Sequence, residues 1–118
     1  MSERNWRLFI EDILESIELI EGYTANMQFD GFKKDRKTID AVVRNFEIIG
    51  EASRSVPENI KQEYYEVDWK GIVGLRNRIA HEYFGISTSV IWHIIEKELA
   101  GLKAQMKQIL EIEPEKQL

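Results

Sequence analysis

Between Asp35 and Pro57, Ile39, Val42, Val43, Phe46, Ile49 and Ala52 recur at steps of three and four residues, a spacing that buries one face only if the backbone is helical. This is the longest uninterrupted pattern in the chain, and it predicts a helix from about Asp35 to Ser55, with Pro57 preventing continuation. Gly50 inside it lowers helix propensity by about 1 kcal/mol relative to alanine. Close approach to a neighbouring helix is the expected reason for a glycine there.

The same period appears on both sides of this stretch. From Asn5 to Tyr23, Trp6, Phe9, Ile10, Ile13, Ile17 and Ile20 form a stripe with Glu11, Asp12, Glu15, Glu18 and Glu21 mostly between them, and Gly22 is expected to begin the end of the helix. Leu8, Leu14 and Leu19 widen the apolar face enough for contact with two neighbours, one of them a candidate second protomer. The segment from Met27 to Phe32 reads as a connector with room for one helical turn, its two phenylalanines tucked under the bundle. Pro57 can open a short helix through Tyr64. Asp68 is placed to cap a helix beginning at Trp69, with Ile72, Val73, Ile79 and Ala80 as apolar contacts and Gly85 available to end it. Ser87 can cap a last long helix carrying Val90, Ile91, Ile94, Ile95, Leu99, Leu102, Met106 and Ile109. Long helices, short polar connectors and no alternating strand pattern predict an all-α fold, a small up-and-down bundle. A single domain over residues 1–113 is expected, with residues 114–118 as a frayed tail.

Composition narrows the function. The 118 residues have 43% hydrophobic content, enough for one modest core, and 31% charged content with two prolines fits a helix-rich chain. The absence of cysteine excludes thiolate metal sites, thiol nucleophiles and a disulfide scaffold. No segment is apolar enough to span a bilayer, and the start lacks the apolar core of a signal peptide, so a cytoplasmic protein without membrane partners is expected. A net charge of −5 disfavours general attraction to nucleic acid, because such binding depends on phosphate neutralisation. Any RNA site must therefore be local.

The polar stretch that stands out lies between two periodic segments, from Gly74 to Gly85, and contains Arg76, Asn77, Arg78, His81 and Tyr83. A guanidinium is a permanent forked cation suited to phosphate, and an imidazole exchanges protons near neutral pH, so the combination suggests phosphodiester chemistry. On an ideal helix at roughly 100° per residue, Arg76 and Tyr83 lie about 20° apart but His81 lies about 140° from Arg76. Either the helix loosens before Gly85, or a second copy of the motif completes the site across a two-fold axis. A purely structural alternative is also consistent with the sequence, in which Arg76 pairs with a glutamate, His81 favours a helix C-terminus and Tyr83 packs at the surface.

The spacing of Arg76, four residues, His81, one residue, Tyr83 resembles the R-x-x-x-x-H-x-Y signature of HepT-like toxins, members of the HEPN ribonuclease superfamily. The segment from Asp40 to Ala52 is similar to the second helix of those proteins, and the runs from Trp69 to Asn77 and from Val90 to Trp92 follow in the same order. The resemblance covers roughly residues 35–102. It implies a HEPN-like bundle acting as a two-fold homodimer, with Arg76 and His81 as the ribonuclease pair and Asn77 as the polar residue that follows the arginine. It further implies a toxin-antitoxin system in which a minimal nucleotidyltransferase antitoxin transfers AMP to Tyr83, inhibiting metal-independent endoribonuclease activity.

Arg44, Lys70 and Arg78 are further candidates for RNA contact, and the run Lys33-Lys34-Asp35-Arg36-Lys37 could guide RNA or simply be a solvated connector. Glu47 and Glu51 are expected to make ordinary side-chain pairs, and His93, beside Trp92, a partly buried packing contact. Two histidines without nearby carboxylates at ligand spacing predict no metal site, and no cofactor is expected. The alternative function is a noncatalytic dimerisation module that binds a nucleotidyltransferase.

Overall fold

The computed structural model describes residues 5–75, 77–79 and 88–116, and among these no strand occurs. The all-α bundle expected from the periodicity is observed. Helix α1 spans Trp6–Thr24, a short α2 Phe29–Phe32, α3 Arg36–Ser55, α4 Glu58–Glu63 and α5 Trp69–Val73, followed by α6 Ser89–Lys97 and α7 Leu99–Lys116.

Helices α1 and α3 each start where a side chain can replace a missing backbone acceptor. Asn5 accepts from the Arg7 amide at 2.9 Å, which starts α1. Asp35 accepts from both the amide and the hydroxyl of Thr38, at 3.1 and 2.8 Å, which starts α3. Helix α1 runs past Gly22 to Thr24, whose hydroxyl donates to the Ile20 carbonyl at 2.9 Å. Pro57 sits one residue before α4, with Val56 held extended ahead of it.

The core is built from the predicted faces. Ile10, Ile13, Ile17 and Ile20 of α1 meet Ile39, Val42, Phe46 and Ile49 of α3, all buried, and α1 packs chiefly on α3. It also packs on α7, where Arg7 donates to the Leu110 carbonyl at 3.2 Å and Lys103 pairs with Glu21 at 2.8 Å. The start of α1 thus meets the far part of α7 and its end the near part, so these two helices are antiparallel. Hydrogen bonding to Glu21 raises the pKa of Lys103. Leu14 packs against the core, while Leu8 and Leu19 stay about two-fifths exposed, at 40% and 41%.

The connector carries more structure than a loop. Phe32 of α2 is fully buried, and its ring centre lies 5.0 Å from that of Trp92, with Phe29 at 6.3 Å from the same indole. Lys33 stands over the Phe29 ring and pairs with Asp30, while Arg36 pairs with Asp40. Much of the basic run is therefore engaged locally, Asp35 being the cap of α3.

Two expectations change. The last long helix is divided at Glu98, where the backbone leaves ideal helical geometry at φ −115° although Glu98 still donates to Ile94 and Leu102 to Glu98. Thr88 precedes α6 without a side-chain cap, and Ser87, the expected cap, lies outside the described residues. His93 is exposed, not a packing residue, because Trp92 takes the interior position against α2.

Candidate functional site

Helix α5 is anchored at its start by two contacts. The Asp68 carboxylate accepts from the Gly71 amide at 3.0 Å, and the largely buried Trp69 indole donates to the Tyr64 carbonyl at 3.0 Å. A β-carbon on Gly71 would collide with the Asp68 carboxylate, so glycine leaves space for the cap. Gly74 forms a turn, yet its amide donates to Lys70 and its carbonyl accepts from Arg78, which carries the helical phase across to residues 77–79.

That phase sorts the side chains. Ile72, Leu75 and Ile79, at steps of three and four, are buried against the rest of the bundle. Helix α3 comes close here: a β-carbon at Gly50 would lie 3.6 and 3.7 Å from the carbonyl oxygens of Ile72 and Val73. The close approach expected at Gly50 is present, and it still leaves ordinary van der Waals room for a methyl group. Lys70 and Asn77, seven residues apart and hence about 20° apart on the wheel, are both exposed on the opposite side. Arg78, also exposed, reaches instead to Glu98 at 3.3 Å across the break between α6 and α7.

Of the residues singled out in the sequence, Arg76, His81 and Tyr83 lie outside the described residues. Asn77, next to the motif arginine, is presented to solvent. The three candidate RNA contacts do not form one patch. Arg78 borders a cavity of about 300 Å³ floored by Phe46, Ile72, Leu75 and Ile94, whereas Arg44 lies in a groove between α1 and α3 with Asp12, Glu47 and Glu51. Lys70 lines a third groove, with Lys61 and Tyr65. The exposure of Tyr65, at 79%, is not visible in sequence periodicity, and the only cue is the Tyr64-Tyr65 pair just after a short helix. Among the described residues no group of three histidine, cysteine, aspartate or glutamate side chains is arranged to hold a metal ion, and no helix is long and apolar enough to cross a membrane.

Fold and site together define an all-α bundle whose polar motif follows a buried-faced, outward-polar helical run. Comparison with known proteins gives the class its name. The family model described as Ribonuclease HepT-like matches residues 13–109. "Putative RNase MJ0127" of Methanocaldococcus jannaschii is 39% identical over 110 residues, covering 93% of this chain and 91% of that protein. "Probable ribonuclease HepT" of Thermococcus cleftensis is 36% identical over 107 residues, covering 91% and 97% respectively. "Putative RNase TTE0752" of Caldanaerobacter subterraneus subsp. tengcongensis is 38% identical over 107 residues, covering 91% and 96%. No solved structure matches the chain. The chain belongs to the HepT-like ribonuclease family, which places it among enzymes that cleave RNA phosphodiester bonds.

Proposed function

We propose that this protein is a metal-independent endoribonuclease toxin whose catalytic pair is Arg76 and His81. The observation that carries the reading is the family match across residues 13–109, which encloses the whole motif. Residues 1–113 act as one unit in this reading, and two copies join so that their motifs face each other. One His81 takes the proton from a ribose 2'-hydroxyl as its oxygen bonds to phosphorus. The partner's His81 gives a proton to the departing 5'-oxygen as the old P–O bond breaks. The Arg76 guanidiniums stabilise the charge gathering on the phosphate oxygens. The exposed Asn77 lies on the helical run leading into the motif, accessible to the same strand.

Control follows from Tyr83. A minimal nucleotidyltransferase antitoxin transfers AMP from ATP to its hydroxyl: the tyrosyl oxygen bonds to the α-phosphorus, pyrophosphate leaves and the hydroxyl proton passes to a base. The added anionic nucleotide beside the catalytic pair repels the RNA backbone and fills its path. Such a system operates in the cytoplasm, where ATP and cellular RNA meet.

Cleavage of total cellular RNA in EDTA by wild type and His81→Ala, with light scattering on the same samples, tests the assignment. Cleavage by a dimeric wild type, lost in a still dimeric His81→Ala, is expected. Intact RNA with both dimeric proteins, together with an unmodified Tyr83 by mass spectrometry, would remove the enzyme and leave the partner-binding module.

A further inference from the structure

We infer that the groove between α4 and α5 is a stacking subsite that holds an unpaired base of the RNA strand on Tyr65. The inference rests on the ribonuclease reading and adds the class of substrate, a single strand, and the residues that grip it.

Tyr65 is the starting observation. At 79% exposure it is far more open than any other exposed large hydrophobic side chain among the described residues, the next being Tyr23 at 43%. A phenol ring left in water has no folding benefit to account for it. The ring lines a groove of about 480 Å³ with Lys61 and Gln62 from α4 and Lys70 and Val73 from α5. That volume falls in the ~300–1,000 Å³ span of small-molecule sites.

Two cations stand beside the ring. Lys61 and Lys70 form no salt bridge among the described residues, so both ammonium groups are available to phosphate. Two carboxylates, Glu58 and Asp68, line the same groove, Asp68 accepting the Gly71 amide, so phosphate contact rests on Lys61 and Lys70 individually and not on a net positive charge. Val67, Trp69 and Val73 line the groove beside Tyr65 and give it an apolar face against which a base can lie. An aromatic face flanked by cations binds single strands because every base has a face that can stack, whatever its sequence.

Its position connects it to the chemistry. Lys70 and Asn77 lie on one side of the run through Gly74, roughly 10 Å apart along the axis at 1.5 Å per residue. A strand anchored at Tyr65 and Lys70 can therefore continue along that side toward Asn77 and the motif.

The test measures binding and cleavage separately. Binding of a fluorescent, unstructured oligonucleotide with 2'-deoxy sugars, which cannot be cleaved, is followed by anisotropy for wild type, Tyr65→Ala, Tyr65→Phe and Lys61→Ala/Lys70→Ala, while cleavage of the matching RNA gives kcat/KM. Tyr65→Ala is expected to weaken binding by about fivefold or more, with kcat/KM falling in parallel, and Tyr65→Phe to restore both. The double lysine variant is expected to lower the slope of log K against log salt by about 1.4, at about 0.7 for each phosphate contact to a single strand. If wild type cleaves RNA and Tyr65→Ala matches it in affinity and kcat/KM, this inference falls while the ribonuclease reading stands. If wild type neither binds nor cleaves, the ribonuclease reading falls first. A Tyr65→Ala protein that loses its dimer by light scattering, with per-dimer affinity unchanged, would make the groove a protein interface and overturn the inference.

Discussion

Single residues in this chain act mainly by ending or orienting helices. Asp35 is the clearest case: the hydroxyl and amide of Thr38 hydrogen-bond its carboxylate and lower its pKa below 3.8. Because the folded value is depressed, the contribution of Asp35 to stability is fully present above the unfolded value and is lost as the pH falls through the folded one. Asp35→Asn is therefore expected to narrow the stability difference between neutral and acidic solution, measured as urea midpoints on either side of the carboxylate range. An unchanged difference would mean that the cap is equally strong in both charge states. Other polar roles depend on neighbours distant in sequence. His93 and Trp92 are adjacent, yet only the meeting of Trp92 with Phe29 and Phe32 decides which of the two is interior. One-dimensional spacing puts both near the core and cannot choose between them.

At the level of elements, periodicity performs best where a helix is long and buried on one side. The approximate starts of α1 and α3 and the apolar faces of both are legible from the three-to-four step, while the caps at Asn5 and Asp35 come from the structure. The break at Glu98 is not. Ile91, Ile94, Leu99, Leu102 and Met106 keep helical spacing through it, because a local loosening that retains the Ile94 and Leu102 hydrogen bonds does not disturb the phase. Gly50 gives a prediction at this scale. A methyl group there meets the α5 carbonyls at 3.6 and 3.7 Å, ordinary contact distance, so Gly50→Ala is expected to raise stability by up to about 1 kcal/mol through helix propensity. Gly50→Leu, which must displace α5, is expected to cost about 1–3 kcal/mol. Thermal unfolding of the two variants reads the contrast, and a destabilised Gly50→Ala would show that α3 and α5 are closer than this geometry allows.

For the molecule as a whole, the bundle is held together by contacts between segments far apart in the chain. Phe32 links the connector to both α3 and α6 by packing beneath Trp92. Phe32→Ala is expected to destabilise the protein by about 3–5 kcal/mol, as for other buried phenylalanines. Chemical denaturation with tryptophan fluorescence as one probe and circular dichroism as the other checks it, and a loss below about 1 kcal/mol would mean that α2 is dispensable. The helical class and the buried faces of α1 and α3 are already written in the amino-acid order, because a repeat of three to four residues states which positions share a face. Tertiary structure alone decided that Arg78 meets Glu98, that Lys103 meets Glu21, and that Arg44, Lys70 and Arg78 line separate grooves. The reason is physical: spacing within a helix is set by its rise and twist, whereas distances between helices depend on how their packed faces cross.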